Sequence, residues 1–143
     1  MMIKDSKGQI SLEYLLIFAI SLILLIVFTL PLAEQSIHNT LDVSDTVNMK
    51  SDLSQLSQAI ETVYGQGQGS KRSINIMANE PNKINIAGSY ISCNMKLKDS
   101  SNKQIKINCN SNLDKTDIPI TKGINTIIVE WPADSENMKI YKS

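Results

Sequence analysis

Three kinds of residue in this chain could do chemistry: a carboxylate set in an apolar run, two cysteines and one histidine. Glu13 is the only charged residue between Lys7 and Glu34. A carboxylate at the centre of a bilayer is unfavourable by about 2.5–3.5 kcal/mol, and by less near an interface, so Glu13 needs a partner. Cys93 and Cys109 are the only cysteines. They lack the additional ligands of a zinc site and the Cys-x-x-Cys spacing of a redox pair, which leaves a structural disulfide as the preferred reading. His38 has no Cys, Asp or Glu at ligand spacing and reads as structural. No nucleophile, general base and orienting acid can be grouped, and no cofactor loop is present, so the sequence reads as a non-enzyme without cofactor or metal.

Glu13 is positioned by a long apolar element. From Leu15 to Leu30 sixteen residues pass without a charge, and extension to Leu32 gives enough helix to cross roughly 30 Å of hydrocarbon. In lipid the backbone must satisfy its own hydrogen bonds, so the segment is helical. Lys4 and Lys7 on its N-terminal side place that end in the cytoplasm and the bulk of the chain outside. An ordinary secretory signal has a shorter apolar region followed by a small-residue cleavage site, which is absent after Leu30. An uncleaved signal anchor explains the segment except for Gly8 before the run and Glu13 within it.

The string Lys7-Gly8-Gln9-Ile10-Ser11-Leu12-Glu13-Tyr14 resembles the cleavage region of archaeal type IV prepilins with class III signal peptides. The resemblance covers roughly residues 1–30 and implies several expectations. A prepilin peptidase cuts between Gly8 and Gln9, making Glu13 the fifth mature residue. The chain is then a subunit of an extracellular type IV pilus-like filament used in surface adhesion. Its partners are copies of itself in a helical homopolymer, the pilus assembly machinery, and the lipid bilayer before assembly. Glu13 of one copy would meet the new α-amino group at Gln9 of a neighbour, a desolvated pair that sets axial register. Cyclisation of an N-terminal Gln9 would remove that positive charge. A membrane-tethered binding module that never polymerises, and a pseudopilin-like part of a secretion machine, are the alternatives.

Beyond Pro31, where a missing amide should kink or locally unwind the helix, the pattern stays helix-compatible to Tyr64. Ile37, Leu41, Met49, Leu53, Leu56, Ile60 and Val63 lie on one stripe, with Val43 and Val47 available where it loosens. The run Gly65-Gln66-Gly67-Gln68-Gly69-Ser70 ends the helix, with Gly65 as the expected left-handed cap. It follows a helix and lacks the Gly-Lys-Ser/Thr ending of a phosphate-binding loop, so it is a linker.

From Ser73 the period becomes two. Strands are predicted around Ile74–Ile76, Ile84–Ile86, Ile91–Leu97 and Ile105–Cys109, then at Ile124–Trp131 and Asn137–Tyr141. With Ser101 at the centre of the turn, Leu97 faces Ile105, Met95 faces Ile107 and Cys93 faces Cys109, which supports the disulfide. Trp131 reads as a core or edge aromatic, with a sugar-binding platform as the sharper alternative.

The expected organisation is therefore a leader at 1–8, an apolar helix at 9–32, its amphipathic continuation at 33–64, a linker at 65–70 and a β head at 71–143. The fold class is α+β: a long helix packed on a small antiparallel sheet, type IV pilin-like. With 14 basic and 14 acidic side chains the formal charge is zero, which argues against nucleic-acid binding. No Asn-x-Ser/Thr sequon occurs.

Overall fold

The computed structural model describes the backbone of residues 6–98 and 100–143, with side chains from residue 11 onward. Residues 1–5 of the expected leader lie outside the described residues. The chain divides into two units, one ending at Thr40 and the other Leu41–Ser143.

The first unit is helical. Helix α1, Ser6–Gln66, starts in it and continues into the second unit. Its apolar part is 20 residues without charge, Tyr14 to Ala33, and its most apolar window reaches a mean hydropathy of 3.0. Polar side chains here are satisfied locally. Ser21 Oγ donates to the Ile17 carbonyl at 2.8 Å and Thr29 Oγ1 to the Leu25 carbonyl at 2.5 Å. That internal satisfaction is what hydrocarbon demands of a hydroxyl. The helix runs through Pro31 without a break. The proline ring still leaves the carbonyl one turn earlier without its amide donor.

The second unit packs the end of α1 on seven strands. These are β1 (Lys71–Ala78), β2 (Asn82–Ala87), β3 (Tyr90–Lys96), β4 (Asn102–Asn108), β5 (Thr116–Ile120), β6 (Gly123–Glu130) and β7 (Lys139–Lys142). They form two antiparallel sheets, ordered β1-β6-β7 and β4-β3-β2-β5, where the sequence pattern suggested one. A parallel bridge between Leu113 and Met138 ties the loop after β4 to the approach to β7. The architecture is α+β and pilin-like: one long N-terminal apolar helix and two antiparallel sheets.

The helix contributes Met49, Leu53, Leu56, Ala59, Ile60 and Val63 to the core, all buried at the three- and four-residue spacing of one face. Each strand adds alternate residues: Ile84 and Ile86 from β2, Ile91 and Cys93 from β3, Ile127 and Val129 from β6. The stripe is covered only from Met49 onward. Ile37, Leu41, Val43 and Val47 are exposed.

β5 was not anticipated because Pro119 interrupts its apolar pattern. Proline is tolerated there because β5 is an edge strand and Pro119 faces solvent. The turn from β5 to β6 is organised by Asn125, a buried amide with every group engaged. Its Oδ1 accepts from Thr121 N and Oγ1 at 2.9 and 3.0 Å, and its Nδ2 donates to the Thr121 and Gly123 carbonyls at 2.7 and 3.0 Å.

The helix end differs from expectation by two residues. Gly65 is helical, and the left-handed cap falls on Gly67, with φ of 88°. Gly67 N donates to the carbonyls of Val63 and Tyr64, closing the last turn.

The β3–β4 register is a correction. Cys93 pairs with Ile105, Ile91 with Ile107 and Lys96 with Asn102. The turn is therefore centred two residues earlier than Ser101. Ser100 N donates to the Leu97 carbonyl at 3.0 Å, Leu97 N donates to the Ser101 carbonyl at 2.8 Å, and Ser100 adopts φ of 67°. This places Cys109 opposite Ser89, whose carbonyl accepts from Cys109 N at 2.8 Å. Four residues of extended chain beyond Ile105 put Cys109 about 13 Å along the sheet from the level of Cys93. A disulfide needs Cα atoms within about 7 Å. Cys93 and Cys109 are accordingly both free, and both buried.

Candidate membrane and assembly site

In the apolar segment of α1 the side chains from Leu12 to Leu32 are solvent-facing in the single chain; Tyr14 is 70% exposed and Phe28 67%. An apolar surface covering every side of a helix, with no cover from its own chain, requires lipid or other helices around it. The segment is long and apolar enough to cross a membrane.

Glu13 stands one residue before the uncharged stretch. It is exposed, and among the described residues it forms no ion pair or hydrogen bond. Gly8 and Gln9 lie on the same helix, five and four residues earlier; their side chains lie outside the described residues. In one helix, Gln9 and Glu13 share a face. The single chain therefore carries a carboxylate at the head of a lipid-soluble helix, and among the described residues no counter-charge meets it.

His38 is exposed, and no group of three metal-ligating side chains gathers among the described residues. Cys93 and Cys109 belong to the core instead of a reactive site. Burial pushes the Cys93 thiol up to about 11. Burial also raises Cys109, against a smaller lowering by Ser57, whose Oγ lies 3.8 Å from the sulfur. Thiols held protonated in this way are poor nucleophiles.

Trp131, read from sequence as a core or edge aromatic, is half-buried and paired with a second ring. Its ring stacks on Tyr64 with centroids 5.5 Å apart and planes 3° from parallel. The indole Nε1 donates to the Ser135 carbonyl at 2.9 Å. Its backbone is clamped to the linker: Gly69 N donates to Trp131 O at 2.6 Å, and Trp131 N to Ser70 O at 2.9 Å. The sequence signal for this pair is slight, since Tyr64 lies in the last turn of a helix and Trp131 follows a strand, 67 positions later.

Comparison with known proteins bears on the helix. Residues 6–32 match the class III signal peptide family. A class III signal peptide at this position is consistent with a type IV pilin-like prepilin. That signal implies processing by a prepilin peptidase and entry into pilus-type assembly, on a membrane-anchored or secreted surface protein. No curated protein and no solved structure matches the chain.

Proposed function

We propose that this protein is a structural subunit of an extracellular type IV pilus-like filament with an adhesive role, inserted first in the membrane through α1. The leader, residues 1–8, is removed between Gly8 and Gln9, and Glu13 becomes the fifth mature residue. In the filament the apolar helices replace lipid with one another, and Glu13 of one copy pairs with the α-amino group of Gln9 of the next. One observation carries this reading: Glu13 has no partner among the described residues of a single chain, and it opens 20 residues without charge. A monomeric anchor gains nothing from a carboxylate there, whereas a polymer gains a desolvated ion pair that works only at one axial offset.

The test separates insertion from polymerisation. Glu13→Leu should leave the chain in the membrane fraction and abolish filaments seen by electron microscopy on the cell surface. Gly8→Leu should block leader removal, leaving the mass of the precursor. Normal filaments from Glu13→Leu would remove the register role. An unchanged mass in the unsubstituted chain, with no filaments, would favour a tethered surface module.

A further inference from the structure

We infer that the head carries a binding site for a neutral saccharide, in the cleft beside the Tyr64–Trp131 stack. The inference rests on the adhesive part of the proposed function and names the class of ligand that adhesion would use. The cleft encloses about 400 Å³ and is lined by the two aromatic rings, by the loop after β4 from Cys109 to Asn112, and by Glu136.

Three observations converge. The first is the platform. Trp131 is fixed by its indole bond to Ser135 and by the two backbone bonds to the linker, and it backs Tyr64. Tyr64 as a residue is 52% exposed although its ring is held in a stack. The C–H face of a pyranose packs on such a rigid, amphipathic ring at little entropic cost.

The second is the polar wall. Asn110 and Asn112 are exposed, and among the described residues no hydrogen bond engages their side chains, nor that of Glu136. Amides offer a donor and an acceptor side by side, and a carboxylate offers two acceptors; both match vicinal hydroxyls. Ser111 Oγ, also lining the cleft, is buried without a hydrogen-bond partner among the described residues. An orphaned hydroxyl of this kind carries a desolvation penalty that a ligand hydroxyl or a bridging water relieves.

The third is charge. Among the described residues, Glu136 is the only ionisable side chain lining the cleft besides the Tyr64 phenol and the protonated Cys109 thiol, and no basic residue lines it. A site for sialylated, uronic or phosphorylated glycans would need Lys or Arg at the wall. The ligand is therefore uncharged.

Trp131 is the only tryptophan, so its fluorescence reports this cleft alone. The full chain, in a zwitterionic detergent without a sugar headgroup, is titrated with cellohexaose, chitohexaose and mannohexaose; polygalacturonate serves as the anionic comparison. A saturable change in emission with at least one neutral hexasaccharide is expected, and none with polygalacturonate. Tyr64→Ala should weaken binding tenfold or more and Asn112→Ala about fivefold, with the unfolding midpoint recorded for each. Asn94→Ala, on the separate polar face of the four-stranded sheet, should bind as the unsubstituted chain does. No response to any neutral hexasaccharide at 10 mM, or equal affinity in folded Tyr64→Ala, overturns the assignment. Because the assay uses dissociated chains, a negative result here leaves the filament reading intact. Loss of filaments through Glu13→Leu likewise leaves binding readable.

Discussion

The state of the two thiols gives a prediction with a magnitude. Cys93 is 1% exposed among Ile84, Ile91 and Ile105, and its thiol is raised from 9.0 to about 11. Below pH 9 the thiol is protonated in both folded and unfolded chains and contributes no pH dependence. As pH rises from 9 towards 11, the unfolded chain loses this proton and the folded chain keeps it, so stability falls; above 11 the loss is complete. A shift of two pK units corresponds to about 3 kcal/mol in full, and to about half of that by pH 10. The assay is urea unfolding of the full chain in detergent at pH 7.5 and pH 10, under non-oxidising conditions, for the unsubstituted protein and for Cys93→Ala. Lys and Tyr titrate alike in both, so the difference between their pH slopes isolates Cys93. The variant should be less stable at pH 7.5, through its small cavity, and should recover relative to the parent at pH 10. Labelling with a thiol reagent should modify neither cysteine in the folded chain and both after denaturation. Equal pH slopes would refute the burial argument. A chain lacking free thiols after denaturation would restore the register that sets Cys93 opposite Cys109.

Other consequences of the structure are open to measurement. Leu56→Ala removes a fully buried side chain from the helix face under the sheets and should cost about 2–5 kcal/mol in urea unfolding. Asn125→Ala breaks four hydrogen bonds at the β5–β6 turn; it should destabilise by about 2–4 kcal/mol and accelerate amide exchange at Thr121. The linker glycines should part in sign. Gly67→Ala forces a side chain into a left-handed residue and costs about 1 kcal/mol. Gly65→Ala, in open helical backbone with nothing within 4 Å of the added carbon, should stabilise by about 0.5–1 kcal/mol; thermal denaturation compares the two.

Much was legible in the chain because it depends on short-range periodicity and solvent preference. Twenty uncharged residues make a helix that needs lipid or neighbours whatever the rest of the protein does. The three- and four-residue spacing from Met49 to Val63 names the buried face before any strand is placed. The motif around Gly8 and Glu13 is likewise local, and its match to a signal family needed no tertiary information. Tertiary structure decided the strand register, and with it the fate of the cysteines. A period of two distinguishes inward from outward residues, but it is indifferent to a shift that preserves parity. Centring the turn two residues earlier keeps Ile105 and Cys93 on the inward face while exchanging every partner. The choice lay in how residues 97 to 101 close their loop, with Ser100 left-handed. The same limit hid the division into two sheets, the edge strand carrying Pro119 and the stack of Tyr64 on Trp131. Each joins residues far apart in the chain, and only packing in three dimensions brings them into contact.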